Sequence, residues 1–291
     1  MRTAKISLVR NKIEDYFNKS TARVFRQSEL SRILQAHIHE WELPKTQKLF
    51  KFIRFLMDNS SLREVEINFP NGNNINRYAW GNVSVFEVAL SLHNRSYLSH
   101  YTAIYLNGLT KQIPKTVYLN VEQTEKPRGS GLSQQSIDRA LKGNQRVSKN
   151  EAAFEDFKIR ILSGKQTGDM GAITLEREQG GILRVTGIER TLIDAAVRPV
   201  YSGGVHEVLN AYKAAKGSFS VNRLAVMLKN LDYVYPYHQV VGYYLDKTGL
   251  YTENQLRPFL KQEMKFKFYL DYNMKNPSYS RKWKLFVPKG S

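Results

Sequence analysis

The sequence predicts an α+β protein: an N-terminal winged helix-turn-helix over residues 1–83, followed by a mixed α/β domain over residues 84–291. Three observations carry this expectation. Three segments before residue 60 place apolar side chains at helical spacing. Two short extended runs then flank Pro70-Asn71-Gly72-Asn73-Asn74, and Asn-Gly between extended runs is a strong hairpin signal. After Gly81 the pattern changes to a second, larger inventory of apolar helices and strands. Three helices and then a hairpin is the order in which a winged helix sets its third helix in a major groove and its hairpin along the backbone.

Each element of the head has a local reason. Ile6, Val9, Ile13 and Phe17 recur at helical spacing across residues 5–18, giving a first amphipathic helix. Residues 20–26 form a short connection. Leu30, Ile33 and Leu34 turn inward from a second helix across residues 27–37, which ends before the break from Trp41 to Pro44. The third helix, across residues 44–58, is expected to begin at Pro44, whose missing N–H costs nothing at the first helical position. Leu49, Phe52, Ile53 and Leu56 occupy one arc of it, while Gln47, Lys48, Lys51 and Arg54 cover the opposite arc with no acidic residue before Asp58. Such a face is often only solvated surface; between two helices and a hairpin it reads as a recognition helix. The expected DNA-contacting residues are Lys45, Thr46, Gln47, Lys48, Lys51 and Arg54 here, with Asn73, Asn74 and Arg77 on the hairpin.

Composition narrows the function classes. A chain of 291 residues that is 42% hydrophobic supports about two cored domains. Its 44 Lys+Arg against 26 Asp+Glu give a net charge of +18 and a pI near 9.8, which favours polyanionic partners. Cysteine is absent, which excludes disulfides and thiolate zinc sites, and a cytoplasmic location is expected. The first ten residues lack a signal peptide's apolar core, and no run reaches the ~18 apolar residues of a membrane span, so no membrane partner is expected. Residues 1–83 hold 14 Lys+Arg and 8 Asp+Glu, which leaves +12 for the remainder and predicts a basic surface there too. Residues 257–291 carry nine basic and two acidic residues among Phe266, Phe268, Tyr269, Tyr272, Tyr279, Trp283 and Phe286. That mixture fits charge plus stacking on nucleic acid, or a half-buried strand whose aromatics pack inward.

In the second domain, residues 83–92 and 100–107 read as helices, the latter capped by Ser99 and ended by Gly108, and residues 116–121 as a strand. A basic joint at residues 126–131 opens a linker or insertion reaching residue 152. Residues 133–141 suit a helix; residues 154–162, 173–177 and 181–186 suit strands, with Gln179-Gly180-Gly181 turning between the last two. In residues 188–196, Ile188, Leu192, Ile193 and Ala196 share the inward arc and include Glu189. Arg190 and Asp194 are therefore expected on the other face as an i,i+4 ion pair. Residues 208–215 and 221–231 follow as helices, the second capped by Ser218 or Ser220.

Two blocks carry a resemblance. Tyr97-Leu98-Ser99-His100-Tyr101-Thr102-Ala103, with Gln112-Ile113-Pro114-Lys115 downstream, resembles the segment after the winged helix in the AbiEi family of transcriptional regulator-antitoxins. Gly187-Ile188-Glu189-Arg190-Thr191-Leu192-Ile193-Asp194, then Arg198-Pro199 and Gly203-Gly204-Val205, resembles that family's second block. The resemblance implies a toxin–antitoxin or phage-defence regulator. Its head would bind inverted repeats of double-stranded DNA in its own promoter, and its C-terminal antitoxin domain would counter a nucleotidyltransferase-like toxin, with or without a stable complex. A monomer or weak dimer is expected, and cooperative DNA binding stays open.

Catalysis is not expected. Among six histidines only His37 and His39 have a close spacing, and they would leave a helix on different sides. Ser99 beside His100 lacks a third partner at a recognisable spacing. No Gly-Lys-Ser/Thr follows Gly180-Gly181 or Gly203-Gly204, so neither makes a phosphate loop. The alternative is a metal-dependent nuclease with a DNA-binding head, in which Asp246 and Glu263, with Lys265 nearby, would hold magnesium. The preferred reading has no enzyme activity, no cofactor and no metal.

Overall fold

The computed structural model describes residues 5–125, 131–177 and 181–290. Residues 126–130 of the expected basic joint at residues 126–131, and the first two residues of the Gln179-Gly180-Gly181 turn, lie outside the described residues. The architecture is α+β, and the chain divides into two compact units. No described helix is long and apolar enough to cross a membrane.

The first unit comprises residues 1–96, 151–159 and 174–184, so it runs past the expected boundary at residue 83 and takes in two returning segments. It opens with α1 (Lys5–Leu8) and α2 (Arg10–Lys19), and continues through β1 (Val24–Phe25), α3 (Gln27–His37) and α4 (Leu49–Asn59). It then forms β2 (Leu62–Ile67), β3 (Ile75–Trp80) and α5 (Val85–Leu90). The expected first helix is broken at Val9, which leaves helical geometry at ψ 11°. The three strands make an antiparallel sheet in the order β1-β3-β2, with Val24 opposite Ala79 and Leu62 opposite Trp80. Ile13, Phe17, Leu30, Leu34, Phe52, Ile53 and Leu56 converge on Trp41 and Trp80. Phe17 stacks on Trp80 at 4.7 Å, and the Trp80 indole N–H donates to Asn18 over 2.8 Å, satisfying the one polar atom that a buried tryptophan brings. Glu87 of α5 closes a capping box with Ser84 and ion-pairs with Arg177.

The basic helix does not begin at Pro44. Trp41 and Leu43 are buried, and Trp41 N–H bonds to His37 and Leu43 N–H to Ile38, so the chain turns inward after α3. Pro44 then starts a turn closed by Gln47 N–H, and Lys48, in extended conformation, caps α4 before Leu49. Two buried side chains outweigh a local proline preference. The expected strand over residues 154–162 is likewise split, because Glu155 adopts φ 50° and makes a turn between β6 (Glu151–Phe154) and β7 (Phe157–Gly164).

The second unit comprises residues 97–150, 160–173 and 185–291. It contains β4 (Tyr97–Leu98), α6 (His100–Leu106), β5 (Thr116–Glu122) and α7 (Gln134–Leu141). After β8 (Ala172–Glu176) and β9 (Ile182–Thr186) come α8 (Ile188–Val197), α9 (Val205–Ala214), α10 (Val221–Asn230), α11 (Tyr237–Lys247) and α12 (Glu253–Leu260). Three short strands end the chain: β10 (Phe268–Tyr269), β11 (Ser278–Ser280) and β12 (Leu285–Val287). Within this unit β4 runs antiparallel to β5, with Leu98 opposite Leu119, and parallel to β9, with Leu98 opposite Val185. Ser220, not Ser218, caps α10 by accepting from Arg223 N–H.

α8 packs against α6, α9, α10 and α11, and every residue from Arg190 to Ala196 is buried. The amphipathic reading of this helix is thereby corrected: it has no outer face, and Arg190 and Asp194 lie inside. In the tail, Phe268, Tyr269 and Trp283 are buried in the core while Lys265, Lys267, Lys282 and Lys284 stay exposed; only Phe268 and Tyr269 of these lie in a strand, and both are buried, so the expected alternating strand over residues 265–268 is not formed. Gly242 of α11 admits the Trp283 ring, since a Cβ there would stand 2.1 Å from a ring carbon.

Candidate functional site

In the first unit α4 presents the candidate surface. Phe52, Ile53 and Leu56 are buried, while Lys48, Phe50, Lys51, Arg54 and Met57 are exposed. Arg54 lies 3.7 Å from Asp58 with both side chains largely in solvent, and such pairs contribute only ~0–1 kcal/mol, so the arginine remains available. Lys45 and Thr46 are exposed and Gln47 half-buried in the turn before the helix. Asn73 and Asn74 are exposed at the β2–β3 hairpin. Gly72 there has φ +77°, and its N–H donates to Phe69. Asn74 also donates to Glu66, and Asn76 to Glu64, so the hairpin carries carboxylates beside its amides.

Arg77 does not belong to this surface. It is 8% exposed, and its guanidinium donates to the Asn76 carbonyl at 2.9 Å and to the Ser91 carbonyl at 3.3 Å. Arg26 donates to the same Ser91 carbonyl, at 3.0 Å. Burial, followed by the Arg26 charge, lowers the Arg77 pKa from its ordinary value. The register supplies the reason: Arg77 pairs with Val65, on the face that packs inward.

In the second unit the two motif blocks, about ninety residues apart, meet. Leu98 pairs with Val185, and the Asn107 amide donates to the Thr186 carbonyl at 2.9 Å and to Thr191. Arg190 donates to Asp194 at 2.8 Å, to Tyr97 Oη at 3.2 Å, to Thr167 and to the Met170 carbonyl. Burial would lower Arg190, but Asp194 holds it above its ordinary value. Burial lifts Asp194 above the usual carboxylate range, and Arg190 opposes that rise. Glu122 accepts from Tyr97 Oη, from Thr167 Oγ1 and from the N–H groups of Thr167, Gly168 and Asp169. Burial alone would raise Glu122; these donors, Thr167 foremost, hold it below its ordinary value.

Ser99 stands at the α6 N-cap, but its hydroxyl bonds to His100 Nδ1 at 2.8 Å instead of capping the helix. His100 has φ 52° and its ring meets Tyr201 edge-on. Burial first, then Arg198 and Arg190, pushes His100 down to about 3, so the imidazole is neutral at physiological pH. Among the described residues no carboxylate bonds to His100, so the pair lacks the third member of a triad.

Asp246 accepts from Lys282 Nζ and from the Trp283 indole, each at 2.8 Å. Among the described residues no three His, Asp or Glu gather as a metal-binding group. Sequence reasoning misses the cavity beside His100, lined by Asn120, Arg146, Lys165 and Arg198. The one local signal is Arg198-Pro199, at the end of the second block.

These features define an α+β protein with a basic helix face in one unit and a buried polar cluster in the other. No protein-family model matches the chain, and neither does any curated protein. It is similar to the crystal structure of RV2827C protein from Mycobacterium tuberculosis, with a TM-score of 0.55 at 12% identity, covering 96% of this chain and 91% of that one. At that identity the likeness is one of fold.

Proposed function

We propose that the protein is a DNA-binding antitoxin and transcriptional autorepressor whose first unit is a winged helix-turn-helix. The observation that carries the DNA-binding half is the exposed Lys48, Lys51 and Arg54 face of α4, set within the order α2-β1-α3-α4-β2-β3 and the sheet order β1-β3-β2. In that reading α4 enters the major groove and the Asn73–Asn74 tip follows the backbone. Lysine and arginine then contact phosphates or guanine edges, and exposed Phe50 offers an apolar contact to a thymine methyl. Lys45, Thr46 and Gln47 precede the helix as further contacts. Arg77 is not among them.

Neutralisation of a nucleotidyltransferase-like toxin, the inverted repeats and a cytoplasmic location rest on the family resemblance and composition. Footprinting the full chain on DNA upstream of its own gene tests the first half. Replacing Lys48, Lys51 and Arg54 together by alanine should weaken promoter binding with an unchanged melting temperature; unchanged affinity would overturn the assignment of α4. Co-expression with the neighbouring toxin gene tests the second half, and failure of the full chain to restore growth would overturn it.

A further inference from the structure

The second unit contains a cavity of about 520 Å3 at which residues of both motif blocks meet residues from outside them. Its wall includes Arg146, Lys165, Arg198, Asn120, Tyr233 and the Arg190–Asp194 pair. The Asp194 carboxylate is bound to Arg190, so the remaining charge facing the space is cationic. Among the described residues neither the Arg146 nor the Arg198 guanidinium has a hydrogen-bond or ion-pair partner, although Arg198 is half-buried. A guanidinium left in that state presents its whole fork of donors, the geometry that matches phosphate oxygens. Lys165 spends two donors on the Leu231 and Asp232 carbonyls, which fixes its ammonium in place while its charge remains.

Asn120 gives a second, independent indication of a ligand. It is 5% exposed, and its Nδ2 has no hydrogen-bond partner. A buried donor without a partner destabilises the fold, so its retention needs a reason. Gly164 makes the arrangement possible, since a Cβ at that position would stand 2.3 Å from Asn120 Oδ1. The volume also exceeds what a bare phosphate fills and lies within the ~300–1,000 Å3 of small-molecule sites. Tyr233, half-buried on the wall with Lys165 Nζ 5.6 Å from its ring centre, supplies an aromatic surface.

We propose that this cavity binds a nucleoside phosphate, its phosphates held by Arg146, Arg198 and Lys165 and its base set against Tyr233 within reach of the Asn120 amide. The site shares no residue with α4, so it stands or falls apart from DNA binding.

Calorimetric titration of the full chain in EDTA, with ATP, GTP, CTP and UTP and with inorganic pyrophosphate, tests it. At least one nucleotide should bind saturably and more tightly than pyrophosphate. Arg198→Gln and Arg146→Gln should each weaken that binding by about tenfold or more. Asn120→Asp, of nearly the same shape, should abolish it by placing a negative charge in the cavity, and Lys51→Ala should leave it unchanged. If Arg198→Gln lowers the melting temperature, exposed Arg146→Gln and Asn120→Asp decide. No saturable binding of any probe, or undiminished binding in Arg146→Gln and Asn120→Asp, overturns the site. Pyrophosphate binding as tightly as every nucleotide overturns the nucleoside assignment.

Discussion

His100 and Arg77 are polar residues that the fold spends on its interior, and both yield predictions. The folded pKa of His100, about 3, lies below the ordinary value of 6.5, so the unfolded chain takes up a proton first. Its contribution to stability is complete above pH 6.5 and is lost as pH falls toward 3; at pH 5 the linkage reaches about 2 kcal/mol. Arg198 and Arg190 face the imidazole and act in the same direction as burial. The lowered His93 and His238 add to the same loss. Urea midpoints should therefore fall between pH 7 and pH 5, and His100→Asn, which tolerates the left-handed backbone at φ 52°, should flatten the fall; equal pH dependence in variant and parent would refute the argument. Arg77→Ala should lower the melting temperature, costing about 1–3 kcal/mol by uncoupling the Ser91 and Asn76 carbonyls, while promoter affinity measured well below the melt stays intact. Lost affinity with an unmoved melt would return Arg77 to the DNA surface. Alternation alone could have identified it, because Ile75, Arg77 and Ala79 share one side of β3.

At the scale of elements, legibility followed how local the cause was. α3 matched its expected bounds because its apolar spacing and the Trp41 break lie within the same stretch, and β2, β3 and their turn were readable from Asn-Gly and alternation. The start of α4 was not, since burial of Trp41 and Leu43 decides it and neither residue belongs to the helix. The buried faces of α8 were hidden for a stronger reason: four other helices surround it, and no pattern within ten residues records neighbours brought from elsewhere in the chain. The cavity is harder still, as Asn120, Arg146, Lys165, Arg198 and Tyr233 share no period. The observed start of α4 permits a prediction that separates stability from binding. Lys48 is the N-cap at φ −82°, ψ 136° and makes no side-chain cap bond. Lys48→Asp should accept from the first-turn N–H groups and favour the helix dipole, adding about 0.5–1 kcal/mol to stability. It should also weaken DNA binding by turning a phosphate attraction into a repulsion. A melt that falls, or a gel shift that does not change, would count against this geometry.

Across the whole molecule, the distribution of charge changes what the head must supply. The first unit, over its three segments, holds 18 Lys+Arg and 14 Asp+Glu, a net +4; the second holds 26 and 12, a net +14. The excess expected beyond residue 83 is therefore larger once residues 151–159, with Glu151, Glu155 and Asp156, are assigned to the first unit. Exposed Lys265, Lys267, Lys282 and Lys284 contribute to it. A protein with this partition should have two separable components of DNA affinity: a sequence-dependent one from α4, and a sequence-independent, salt-dependent one from the second unit. Removing a cation that neutralises one phosphate should reduce the slope of log K against log salt by about 0.9. Alanine at Lys48, Lys51 and Arg54 together should thus reduce the slope by up to about 2.7 and remove the preference for promoter over unrelated DNA. It should leave a measurable, steeply salt-sensitive affinity for both DNAs at low salt. Binding isotherms for the two DNAs across a salt series check this. If the triple variant binds neither DNA at low salt, the positive charge of the second unit serves something other than a nucleic-acid backbone.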